Sequence, residues 1–122
     1  MPPRAFEQLV AALFRKEGFD VKLIPESRDG GYDILAVRHN KYTGNETFLI
    51  ECKRYAENRR VGIDVIRNLI GVMQFENATK GIIATTTSFS SDARQRAETF
   101  SSRLALHYYE FIKHWLHDVS AS

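Results

Sequence analysis

The chain has 122 residues, 43% of them hydrophobic, which is enough for one globular domain to bury its own core. With 17 Lys and Arg against 15 Asp and Glu, the net charge of +2 permits nucleic-acid binding without arguing for it. A single cysteine excludes an internal disulfide, and no apolar run approaches the ~20 residues of a spanning helix. We therefore expect a cytoplasmic protein with no membrane partner.

The elements follow in chain order. PPRAFEQLVAALFRKEG carries Phe6, Leu9, Val10, Leu13 and Phe14 at helical spacing, with prolines at the start and Gly18 at the end. FDVKLI (19–24) alternates like a strand, and PESRDGG (25–31) reads as a loop. GYDILAVRH and ETFLIECKRY are predicted strands joined by the turn-rich NKYTGN. Val65, Ile66, Leu69, Ile70, Val72 and Met73 mark a helix over about 62–76. TKGIIATT has the continuous apolar character of a strand covered on both faces. Ser90 or Ser91 suits the cap of a third helix running to Phe100. RLALHYY is a fifth strand, and Phe111, Ile112, Trp115, Leu116 and Val119 give a last amphipathic helix. The order αβββαβαβα predicts an α/β fold. Three strands form an antiparallel meander, crossover helices add two parallel strands, and helices cover both faces of the mixed five-stranded sheet.

One strand carries an unusual pair of charges. Alternation puts Phe48, Ile50 and Cys52 on one face of ETFLIECKRY and Leu49, Glu51 and Lys53 on the other. Cys52 is then read as a small buried hydrophobe rather than a nucleophile. Glu51 and Lys53 alone are compatible with an ordinary strand-end ion pair. Asp33, among apolar residues of the preceding strand, changes the balance. A connection centred on Thr43–Gly44 sets residues summing to about 86 opposite each other, which places Asp33 across from residue 53 and on the face of Glu51 and Lys53. Two neighbouring carboxylates repel unless a cation lies between them, and a hard divalent ion with oxygen ligands suits both. Magnesium keeps positions for water and phosphate oxygens, so the pattern points to a phosphodiester substrate.

These residues resemble the Mrr-like restriction endonuclease domain of the PD-(D/E)xK nuclease superfamily. The resemblance runs through nearly the whole chain: Phe6-Glu7 opening the first helix, DGGYD (29–33), IECKRY (50–55), VGIDVIRNLIGV (61–72) and KGIIATTTSFSSDA (80–93). Tyr32 stands where the superfamily name has proline, which we read as a subfamily trait. The resemblance implies a restriction-endonuclease-like three-layer fold and a metal-dependent DNA endonuclease using Mg2+, with Mn2+ able to substitute. It implies that Asp33, Glu51 and the main-chain carbonyl of Cys52 bind the metal. Lys53 would orient or deprotonate the attacking water, and Glu7 would complete the metal shell or hold a metal-bound water. Within this picture 1–122 is a single catalytic domain, one that can belong to a longer protein with a separate DNA-recognition domain. It would work on DNA as a homodimer, and modified DNA is a common target of such domains. A Holliday-junction resolvase and a non-catalytic DNA-binding module on the same fold are the rival readings.

Candidate DNA contacts are softer. Arg28, Gly30 and Gly31 precede Asp33, and Arg54, Tyr55, Arg59 and Arg60 follow Lys53. Both groups fit phosphate-holding loops or ordinary charged loops. Arg67 and Gln74 share a helix face with Gly71, either a polar edge of the site or a solvated surface. The hydroxyl-rich TTTSFSS (85–91) fits a phosphate contact or a cap and turn.

Overall fold

A computed structural model describes residues 1–25 and 30–121. The first helix, α1 (Pro3–Lys16), starts with proline in its first turn, where a missing N–H costs nothing, and ends on Arg15 and Lys16 beside the negative end of its dipole. Three strands follow: β1 (Asp20–Leu23), β2 (Ile34–Arg38) and β3 (Glu46–Lys53). They are followed by α2 (Ile63–Glu76), β4 (Lys80–Thr85), α3 (Ser91–Glu98), β5 (Leu104–His107) and α4 (Tyr109–Ala121). The helix α2 stops at Asn77, which takes the left-handed conformation (φ 54°). Ser90 caps α3, its hydroxyl accepting from the Ala93 N–H at 3.1 Å.

The strands lie in the order β1-β2-β3-β4-β5. β1, β2 and β3 are antiparallel, and β3, β4 and β5 are parallel, as the meander and the crossover helices require. β3 is therefore the strand on which the sheet changes direction.

Alternation along the strands sorts the core into two layers. Ile34, Ala36, Phe48, Ile50, Ile82 and Ala84 face α1 and α4, where Phe6, Val10, Phe14 and Ile112 cover them. Leu49, Ile83 and Leu104 face α2 and α3, under Ile66, Leu69, Met73, Ala93 and Ala97. Each fully buried Leu, Ile or Phe contributes roughly 1.5–3 kcal/mol relative to exposure. Gly81 lets α2 come close to β4, since a side chain there would run into Met73 and Leu69.

The register corrects one expectation. Ile34 pairs with Ile50 and Leu35 with Leu49, two residues off the expected register, and Asp33, just before β2, donates its N–H to the Ile50 carbonyl instead of standing across from residue 53. The connection begins earlier than the Thr43–Gly44 centre supposes. The Asn40 side chain accepts the N–H groups of Tyr42 and Thr43, and its carbonyl accepts that of Gly44. The slip is of two residues, so every side chain keeps its face.

Candidate active site

The main chain of Asp33 is clamped on both sides. Its N–H donates to the Ile50 carbonyl at 2.8 Å, and its carbonyl accepts from the Ile24 N–H at 2.9 Å. Asp33 stands just before β2, outside the regular ladder, its N–H turned to one neighbouring strand and its carbonyl to the other. The carboxylate Oδ2 accepts from the Cys52 N–H at 2.7 Å, a charge-assisted bond that fixes its direction. The N–H and C=O of a strand residue project to the same side of the strand. The Cys52 carbonyl is therefore turned toward the Asp33 side as well.

Glu51 and Lys53 lie on the face of Leu49, toward α2. Lys53 Nζ is 4.0 Å from Glu51 Oε1. Two observations about Glu51 pull in opposite directions. The lysine contact favours a charged carboxylate, yet burial, then the hydrogen bond and charge of Asp33, push its pKa up to about 9, with Glu7 adding to the rise. The lysine stands at the limit of an ion pair and is a third exposed, so we give the greater weight to burial and Asp33. Without a further cation, burial and the hydrogen bond to Asp33 favour the protonated form of Glu51.

That frustration is what a divalent cation relieves. The carboxylates of Asp33 and Glu51 and a main-chain carbonyl form an all-oxygen donor set of the kind a hard cation takes, with water completing the shell. These residues fit magnesium. No group of three or more His, Cys, Asp or Glu side chains at metal-holding spacing occurs among the described residues. A cation here would therefore rest on the two acids and main-chain or water oxygens.

Glu7 is buried at the base of α1, not displayed on a solvated helix face. Arg4, one turn earlier, donates to Glu7 Oε1 at 2.7 Å and to the Ile24 carbonyl at 3.0 Å. The same arginine therefore ties the acid to the residue whose N–H holds Asp33. Arg4 was missing from the sequence-based candidates, and its i,i+3 spacing to Glu7 was the available signal. Cys52 packs with the core layer under α1, and burial, followed by the neighbouring carboxylates, pushes its thiol well up. It is a poor thiolate, as expected of a structural cysteine.

The hydroxyls of Thr85 and Thr86 act as fasteners for the end of β3. Thr85 Oγ1 donates to the Lys53 carbonyl at 2.7 Å, and the Thr86 N–H adds a second bond at 3.3 Å. Thr86 Oγ1 accepts from the Tyr55 N–H and donates to the Tyr55 carbonyl, both at 3.1 Å. In TTTSFSS Ser90 is the cap that one alternative expects, while Thr85 and Thr86 bond across to β3 and the segment after it, a role neither alternative covers.

The remaining candidates separate into two groups. Arg54, Arg59 and Arg60 are exposed on the segment after β3, where the Arg59 guanidinium lies 3.9 Å from the centre of the half-buried Tyr55 ring. Gly30, Arg67 and Gly71 line a shallow depression of about 440 Å3 along α2, and Gln74 is exposed on the same helix. Gly31 (φ +84°) closes that side: a Cβ on it would lie 2.6 Å from Val72 Cγ2. Arg28 lies outside the described residues.

The mixed five-stranded sheet between two helical layers, with acids and a lysine at the ends of β2 and β3, defines a restriction-endonuclease-like domain. Residues 1–116 match the Mrr catalytic-domain family, described as restriction endonuclease, and the chain belongs to that family. An uncharacterized protein, y4cE of Sinorhizobium fredii (strain NBRC 101917 / NGR234), is 30% identical over 98 residues, covering 80% of this chain and 25% of that protein. Among solved structures, the DNA modification-dependent restriction endonuclease AspBHI superposes with a TM-score of 0.78 at 25% identity, over 98% of this chain and 31% of its own. The MspJI restriction endonuclease, solved with a 27-mer oligonucleotide, gives 0.67 at 21% identity, over 88% and 26%. The chain thus spans between a quarter and a third of the proteins it matches here. No helix among the described residues is long and apolar enough to cross a membrane.

Proposed function

We propose that the chain is the catalytic domain of a magnesium-dependent endodeoxyribonuclease that hydrolyses phosphodiester bonds, with modified DNA as its target class. The observation that carries this reading is the Asp33–Glu51 carboxylate pair, in hydrogen-bond contact, with Lys53 on the face of Glu51.

Asp33 and Glu51 would hold Mg2+ together with the carbonyl of Cys52, and Mn2+ would substitute. When bound, the ion supplies positive charge that polarises the phosphoryl group and makes water more acidic. The chain's own residues do the positioning. The Cys52 N–H fixes the Asp33 carboxylate. Thr85 and Thr86 fix the main chain of Lys53, whose ammonium then meets the phosphate and orients the attacking water, or whose neutral amine takes the water's proton. Glu7, held by Arg4, adds negative charge behind Glu51 and would complete the metal shell or hold a water of that shell. The water oxygen bonds to phosphorus as the bond to the 3′-oxygen breaks in line, leaving a 5′-phosphate and a 3′-hydroxyl.

Cutting both strands of a duplex takes two such sites, so we place two copies of the domain on DNA. Sequence or modification recognition is assigned to a separate domain, which agrees with the share of AspBHI that the chain covers.

The test is a nicking assay on supercoiled plasmid, methylated and unmethylated, with Mg2+, Mn2+ or EDTA. Cutting should need the metal and disappear in Lys53→Ala. Cutting that survives Lys53→Ala, or metal-independent cutting, rejects the assignment. A strong preference for branched over linear DNA would instead indicate a junction resolvase.

A further inference from the structure

On the sheet face opposite Glu51, a groove of about 410 Å3 runs between α1, the segment after β3 and α4. Its size is that of a small-molecule site, and it would hold one nucleotide but no duplex. Its lining combines two cations and one acid, Arg54, Lys113 and Glu57, with the rings of Tyr55 and Tyr109 and apolar side chains such as Leu9. Lys113 shares its charge with Glu110 at 3.1 Å and lies 5.0 Å from the centre of the Tyr109 ring. Arg54 is exposed and makes no hydrogen bond or ion pair with any described residue. Tyr109 is 43% exposed, so one side of its ring is open.

The groove shares its walls with the candidate active site. On α1, Phe6 lines the groove while its neighbour Glu7 acts on Glu51. On β3, Lys53 stands beside Glu51 while its neighbour Arg54 lines the groove. Two pairs of consecutive residues therefore join the carboxylates to the groove, one on α1 and one at the end of β3. Rings beside an uncompensated guanidinium are the elements by which proteins hold an unpaired base and its phosphate.

We propose that this groove is a subsite for one unpaired nucleotide adjoining the phosphate that is cut, with the phosphate on Arg54 and the base against Tyr109. The proposal rests on the nuclease reading of the adjacent carboxylates. It makes the domain a nuclease that favours DNA with a frayed, overhanging or extruded nucleotide next to the cut, so that the energy of unpairing is met by the substrate and not by the enzyme.

The test uses oligonucleotide duplexes, identical except that the nucleotide immediately 5′ or 3′ of the cut is paired or unpaired. Two readouts are taken. With Mg2+, the wild type should cut one of the unpaired substrates roughly fivefold or more faster than the paired one, the lower end of what a base–aromatic stack contributes. In the Lys53→Ala background, where cutting is stopped, 2-aminopurine at the unpaired position should lose fluorescence on binding. Tyr109→Ala should bring the cutting ratio close to one and abolish the quench. Arg54→Ala should raise KM for the unpaired substrate more than for the paired one. Equal cutting of paired and unpaired DNA by the wild type overturns the proposal, as does a preference and quench that persist in both groove variants. Failure of the nuclease reading would look different: no metal-dependent cutting of any duplex, while the fluorescence readout still reports whether the groove is occupied.

Discussion

Glu51→Gln should make the metal-free protein more stable while abolishing its chemistry. In the folded chain burial and Asp33 push Glu51 up to about 9, against 4.5 for the free side chain. Between those two values the folded state binds a proton that the unfolded state has released. Stability is therefore fully present below pH 4.5 and is lost as pH rises toward 9, by up to about 1.4 kcal/mol per pH unit. At pH 7 the accumulated cost is roughly 3 kcal/mol as an upper bound, because the site relaxes and admits water. A glutamine of the same shape carries no proton to lose and still donates to Asp33. We expect it to raise the unfolding free energy by about 2 kcal/mol at pH 7.5 in EDTA, or Tm by roughly 5–10 °C for a domain of this size. The difference should shrink toward zero by pH 4. Urea melts of both proteins from pH 4 to 8.5 measure it directly. Magnesium should then stabilise the wild type and release a proton, with little effect on the variant. A variant that is equally stable or less stable at pH 7.5, or a difference that does not change with pH, would refute the account of a protonated Glu51 beside Asp33.

Three further substitutions probe the supports of the site. Gly31→Ala places a Cβ against Val72 at a left-handed φ and should cost about 1–3 kcal/mol, with a larger proportional loss of cutting because the step into Asp33 moves; a stability change under 0.5 kcal/mol in a urea melt would contradict the close approach. Thr85→Val removes one of two donors to the Lys53 carbonyl and should cost about 1 kcal/mol and slow cutting several-fold at unchanged metal affinity, read by single-turnover kinetics and metal titration. Arg4→Met releases Glu7 and the Ile24 carbonyl together and should cost about 1 kcal/mol, the ion pair being partly open to solvent, while weakening magnesium binding measured by calorimetry.

How much of this was legible in the chain depends on the range of the interaction involved. The elements and their order follow from local periodicity, and all nine occur where the apolar pattern places them to within a few residues. The shared face of Glu51 and Lys53 was readable from strand alternation, while Asp33 reaches Glu51 from just before β2, where alternation no longer applies. The register slip was hidden in the Asn40 side chain, which starts the turn before the Thr43–Gly44 pair that looks like its centre. The fastening of β3 by Thr85 and Thr86 was not readable, because a hydroxyl-rich stretch looks the same whether it holds a ligand or its own sheet. The burial of Glu7 depends on where α1 settles against the loop at Ile24, a contact that no window of sequence contains.

The change of strand direction at β3 divides the site between contacts local in the sequence and contacts distant in it. The two acids meet through a hairpin whose strands are joined only by residues 39–45, a short closure. The clasp on Lys53 comes from β4, which lies beyond residues 54–79 and the helix α2 that they carry across the sheet. The meeting of the two acids is thus written into neighbouring sequence and the fastening of Lys53 into distant sequence, so a change within 54–79 would loosen the lysine and leave the acids where they are.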